Sequence, residues 1–229
     1  MDARSVSPEN PCALRGFVFA VFASPDPERL HRLFLAFGFS RTQRHASLAI
    51  DLYEQGQISL LLDRGTAGFS AQFAAAHGPC ISAMGWRAEH AEKAAATAVG
   101  RGASAGEGDL FRRDGSRLPS VRGIGDSLIY FVDDKDSWSA LGFVPHPTPD
   151  LLPSKGFTAM DHLTNNVPRG AMGRWADFYK QVFGFTEVRY FDIRGVQTGL
   201  VSYALRSPCG RFCIPINEGT EAKSQINEY

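Results

Sequence analysis

The stretch Asp161-His162-Leu163-Thr164-Asn165-Asn166-Val167 decides how the rest of the chain is read. It is expected to form a strand over 160–167. A turn at Pro168-Arg169-Gly170 follows, then an amphipathic helix that stops at Phe183-Gly184-Phe185. Alternate side chains of a strand fall on opposite faces. That puts His162, Thr164 and Asn166 on one side and Leu163, Asn165 and Val167 on the other. A face of imidazole, hydroxyl and amide suits a lined cavity better than a hydrocarbon core. A lone strand histidine is by default a hydrogen-bonded structural residue. The acidic neighbour and the polar companions favour His162 as a ligand instead.

Working outward, the helix carries Met172, Trp175, Ala176, Tyr179, Val182 and Phe183, and strands are expected at 187–193, 198–205 and 211–217. The unit is βαβββ. It occurs earlier as well: Phe37-Gly38-Phe39 and Phe183-Gly184-Phe185 lie 146 positions apart, and that offset sets Val21 on Val167 and Leu33 on Tyr179. Such self-similarity marks an internal repeat. In the first copy, strand 16–22 runs into a helix capped by Ser24 or Asp26, with Pro27 in its first turn. Leu30, Leu33, Phe34 and Phe37 form its apolar stripe. Strands 40–44, 48–53 and 57–62 follow. Gly16 falls opposite His162 at this offset, so the first copy offers no ligand there.

Between the two copies lies a second pass: helix 69–77, strand 80–87, helix 91–99, a loop or weak strand over 102–115, an extended piece at 118–123 and strand 127–132. The run 145–153 holds four prolines and reads as a linker. The expected fold class is therefore α+β, built of repeated βαβββ modules. Two modules fill a first domain over 14–144, a linker covers 145–155, and one module occupies 156–229. A sheet with one module leaves an apolar face and an open edge. Another chain is expected to complete the second domain, or the sequence to be incomplete.

Composition narrows the function classes. Hydrophobic residues make up 44% and charged residues 21%, a globular balance. Lysine and arginine equal aspartate and glutamate at 24 each, so no net field favours nucleic acid or an anionic membrane. No apolar run has membrane-spanning length, and Met1-Asp2-Ala3-Arg4-Ser5 does not open a secretory signal. The cytoplasm is the expected compartment. Cys12, Cys80, Cys209 and Cys213 include no CxxC and are read as buried or half-buried thiols, not as zinc ligands or disulfides.

Several ordered segments resemble the 4-hydroxyphenylpyruvate dioxygenase family, whose members have the vicinal-oxygen-chelate fold. They include Gly16-Phe17-Val18-Phe19, Leu52-Tyr53-Glu54-Gln55-Gly56 and Phe73-Ala74-Ala75-Ala76-His77-Gly78-Pro79. The match is closer in Asp161-His162-Leu163-Thr164, Trp175-Ala176-Asp177-Phe178-Tyr179, Arg189-Tyr190-Phe191-Asp192-Ile193 and Ile214-Pro215-Ile216-Asn217-Glu218. The resemblance implies a mononuclear Fe(II) held by two histidines and one carboxylate, a facial set with open positions. It implies conversion of 4-hydroxyphenylpyruvate and O2 to homogentisate and CO2 in tyrosine catabolism, by a homo-oligomer.

Carried over residue by residue, His162 corresponds to the first iron ligand. Ser202, Asn217 and Gln225 correspond to residues that line the substrate pocket, with Pro215 shaping its wall. On residue type alone Ser202 is a strand-surface residue, Asn217 a strand-end turn former and Gln225 part of a solvated tail. This chain has Asn165 where the family usually carries a second, non-ligand histidine, and strand parity turns Asn165 away from the His162 face. The family's other histidine and its glutamate ligand have no counterpart before Tyr229. The chain alone is therefore expected to be inactive. Two alternatives stand beside the dioxygenase: 4-hydroxymandelate synthase, and a non-catalytic dimer that binds an aromatic ligand between two half-domains.

Overall fold

The computed structural model describes residues 9–194 and 199–219. Its first sheet is built from β1 (Leu14–Ala23), β2 (Ser40–His45), β3 (Ile50–Gln55), β4 (Ile58–Asp63), β5 (Cys80–Ala88), β6 (Ser120–Arg122), β7 (Leu128–Asp133) and β8 (Phe143–Asp150). The strand order is β6-β7-β5-β1-β4-β3-β2-β8. Helices α1 (Pro27–Ala36), α2 (Phe69–His77) and α3 (Ala91–Gly100) accompany it. After α4 (Met172–Phe183), a second sheet joins β9 (Asn165–Val167), β10 (Thr186–Arg194), β11 (Gly199–Arg206) and β12 (Cys213–Gly219) in the order β10-β11-β12-β9.

The repeat is visible in the pairing. β1 runs parallel to β4, and β4, β3 and β2 follow antiparallel. In the second sheet β9 runs parallel to β12, and β12, β11 and β10 follow antiparallel. One detail of the sequence offset changes. Ala20 pairs with Leu60, which pairs with Tyr53; Asn165 pairs with Ile216, which pairs with Tyr203. Tyr53 and Leu60 lie in the cluster under α1, while Tyr203 and Ile216 lie in the cluster under α4. Face parity therefore makes the strand offset odd, one residue away from 146. The helices keep 146, because the strand-to-helix connection differs by one residue between the copies.

Local chemistry explains the element ends. Asp26 accepts a hydrogen bond from the Arg29 amide at 3.2 Å and Pro27 opens α1, so of the two expected caps Asp26 is the one used. Asp26→Ala is expected to cost about 1 kcal/mol of stability in urea unfolding, while Ser24→Ala costs less. In α4 the cap comes from afar: the Glu218 carboxylate on β12 accepts from the Met172 amide at 3.0 Å. That bond ties the helix start to its own sheet.

Two expectations for the middle of the chain are corrected. Residues 145–150, read as linker, form most of β8, which pairs with β2 at the sheet edge. Pro145, Pro147 and Pro149 alternate, and an edge strand tolerates the missing amides along its outer side. The strand expected over 160–167 shrinks to Asn165–Val167, with one isolated bridge between His162 and Cys213. The chain just before it is held by the first sheet: the Gln57 amide donates to the Thr158 carbonyl at 2.7 Å.

Inside the first sheet Phe19, Leu61, Leu128, Tyr130 and Phe143 share one core cluster, so the sheet curls until β7 and β8 border the same interior. A second cluster, centred on Phe34 and Tyr53, lies under α1. The third spans both sheets. Trp86 on β5, fully buried, packs against Phe183 at 5.0 Å between ring centroids, Phe212 at 5.4 Å and Phe185 at 5.7 Å. Among the described residues no helix is long and apolar enough to cross a membrane.

Candidate functional site

The second sheet has two chemically distinct faces. Leu205, Ile214 and Ile216 are fully buried on the face that α4 covers, and Val167 joins them. The opposite face carries the polar residues. Asn166 on β9, Asn217 on β12 and Ser202 on β11 stand in one row across three neighbouring strands. The Asn217 amide donates to the Asn166 side-chain oxygen at 3.4 Å. Pro215 pairs with Ala204 in the next row on this face, and Cys213 lies one row further along.

His162 reaches this face through its bridge to Cys213. The Cys213 amide donates to the Asp161 carbonyl at 2.9 Å and the Leu163 amide donates to the Cys213 carbonyl at 3.2 Å. The imidazole is about half exposed, and its Nδ1 lies 2.9 Å from an Asp161 carboxylate oxygen. A carboxylate can only accept, so Nδ1 carries the proton, and in the neutral ring it is Nε2 that has the lone pair. This is the arrangement a metal-binding histidine uses.

The structure therefore brings His162, Ser202, Asn217 and Pro215 onto one face of one sheet. Gln225 lies outside the described residues. Asn165 sits on the α4 side opposite Ile216, as parity requires. One member of the face was not singled out from sequence. Cys213 shares the two-residue period of Pro215 and Asn217, a signal the strand reading already held. The direct contact of Asn166 with Asn217 needed the parallel register of β9 and β12, which no local pattern encodes.

The family model described as "Hydroxyphenylpyruvate dioxygenase, HPPD, N-terminal" matches residues 8–142. That is more than half of the chain. The chain belongs to the hydroxyphenylpyruvate dioxygenase family. It is 50% identical to "Protein MelA" of Shewanella colwelliana over 97% of its own length and 65% of that protein. It is 40% identical to a "4-hydroxyphenylpyruvate dioxygenase" of Legionella pneumophila over 96% of its length and 62% of that protein. A solved "xylose isomerase-like TIM barrel/4-hydroxyphenylpyruvate dioxygenase fusion protein" superposes with a TM-score of 0.75 at 26% identity, covering 90% of this chain and 32% of the other. The chain thus spans less than two thirds of the curated relatives it matches. Its fold is the vicinal-oxygen-chelate fold of this family.

Iron asks for more than the face supplies. A facial triad needs three ligands, and among the described residues no group of three His, Cys, Asp or Glu side chains could hold a metal ion. His162 has the right tautomer for one corner. The described residues do not by themselves make an iron site.

Proposed function

We propose that this chain serves an Fe(II)-dependent 4-hydroxyphenylpyruvate dioxygenase, in which His162 is one of the iron ligands. The observation that carries the reading is the shared face: the His162 imidazole stands on the same side of the sheet as Ser202, Asn217 and Pro215. The Ser202 hydroxyl and the Asn217 amide can each donate and accept, which suits the hydroxyl and carboxylate groups of the substrate. Pro215 gives a flat apolar wall without a competing donor. Asp161 holds the His162 tautomer. Asn166 accepts from one Asn217 proton and so fixes which way that amide points. Iron, when bound, supplies the oxidative chemistry; its other two ligands are residues other than those described. On this reading the protein works in tyrosine breakdown, in the cytoplasm, as a homo-oligomer.

Product identification tests the proposal. Native protein supplied with 4-hydroxyphenylpyruvate, Fe(II), ascorbate and O2 is expected to yield homogentisate by liquid chromatography and mass spectrometry. 4-Hydroxymandelate in its place moves the assignment to the mandelate synthase branch, and neither product overturns the reading. A polypeptide of these 229 residues alone is expected to form no homogentisate. Robust iron-dependent turnover by that polypeptide would refute the ligand count on which the expectation rests.

A further inference from the structure

A cavity of about 510 Å³ opens far along the chain from the His162 face, at the β2 end of the first sheet. Arg41, Arg44, Asp51, Arg64 and His146 line it, together with the connection between β2 and β3. Its volume is in the range of small-molecule sites. The connection is fixed rather than loose. The Ser47 and Leu48 amides both donate to His45 Nδ1, at 3.2 and 3.0 Å, and the Arg64 amide donates to the Ala49 carbonyl at 2.7 Å. Burial pushes the His45 pKa down, consistent with a neutral ring that accepts both bonds.

The charges in this wall are unevenly matched. Asp51 is buried and is shared by two arginines and a histidine: Arg64 Nε at 2.7 Å, Arg41 at 3.5 Å and His146 Nε2 at 3.6 Å. Glu28 also holds Arg64, and Asp150 lies 2.7 Å from Arg41. Those carboxylates are committed. Arg44 is exposed and its side chain makes no hydrogen bond or ion pair among the described residues, and Arg41 Nε is buried without a partner. The wall thus offers one whole guanidinium fork, with the positive charge of Arg41 behind it and Leu48 and Ile50 supplying apolar surface beside it.

We propose that this cavity binds a small oxyanion, a carboxylate or phosphate group taken by the Arg44 fork with help from Arg41 and His146. Guanidinium forks match paired oxygens geometrically and hold them with charge-assisted bonds. The site makes no use of the His162 face, so its test is independent of the dioxygenase assay.

Calorimetric titration of the 229-residue chain at low ionic strength, with benzoate and with inorganic phosphate as probes, decides the matter. Saturable binding near one per chain is expected for at least one probe, and the tighter probe identifies the source as carboxylate or phosphate. Arg44→Ala is expected to weaken that binding about tenfold, the scale of one charge-assisted contact. Arg44→Lys should fall between the two, because it keeps the charge and loses the fork. Arg44 is exposed and partnerless, so these variants should keep the parent's unfolding midpoint. No saturation with either probe, or binding indifferent to Arg44→Ala, overturns the proposal. Unchanged binding in His162→Ala is expected; its loss would move the anion to the other face and overturn the proposal too.

Discussion

Trp86→Ala is expected to destabilise the chain by about 4 kcal/mol, the middle of the usual range for a fully buried aromatic residue. Trp86 projects from β5 and has no exposed surface. Its ring meets Phe131 from its own sheet at 6.5 Å and, on the other side, Phe183, Phe185 and Phe212, with Tyr179 at 6.2 Å. Ala94 and Ala98 of α3 belong to the same cluster. These are small side chains, unable to grow into a void, so the cavity left by the indole persists and its cost adds to the lost transfer free energy. The substitution also removes the main bridge between the two sheets. Urea unfolding followed separately by near-ultraviolet and far-ultraviolet circular dichroism should change from one transition to two, with the second sheet melting first. A loss under about 1.5 kcal/mol, a small fraction of the range for such truncations, would mean that the cluster is not what joins the sheets. Trp175→Ala provides the control. Trp175 is only partly buried at the edge of this cluster, and its loss should cost markedly less without splitting the transition.

The position of Trp86 shows where sequence stops being informative. Its strand was legible from a short apolar run, and α4 from the three- and four-residue steps of Ala176, Tyr179 and Phe183. That the two meet is a long-range fact with no local signature. The repeat was legible for the same reason the strands were: side-chain period and the Phe-Gly-Phe stops are local. Its strand offset was misplaced by one residue, because a connection can absorb one residue without disturbing the hydrophobic pattern on either side. β8 was read as linker because its prolines argue against a strand interior; on an edge they are compatible with pairing, and nothing in the local composition says which strands are edges. Which residues share the candidate face was partly legible. Two-residue alternation placed His162 and Asn166 together, and the family resemblance named Ser202, Asn217 and Pro215. The sheet register then put all five on one side.

Gly184→Ala is expected to cost about 3 kcal/mol, and Gly38→Ala about half of that, although the two glycines are equivalent in the repeat. Both adopt left-handed backbone conformations, with φ of 78° and 81°, which costs an alanine roughly 1–2 kcal/mol. Their surroundings make the difference. A Cβ on Gly184 would lie 2.3 Å from the Glu9 carbonyl oxygen and 3.0 Å from Pro11 Cδ. That is a backbone segment held from the other side, where Asn10 bonds the Leu14 amide and carbonyl. A Cβ on Gly38 would meet mainly Lys155 Cγ at 2.8 Å, a flexible side chain that can swing aside, and the Pro153 carbonyl at 3.2 Å. The first substitution therefore adds an overpacking cost of about 1–3 kcal/mol, and the second adds little. Thermal and urea unfolding of the two variants side by side tests this. The Gly184 variant should also expose residues 9–13 to limited proteolysis, because the segment must move away from the end of α4. Equal losses for the two substitutions would show that backbone conformation alone sets the cost, and that the N-terminal segment is free to yield.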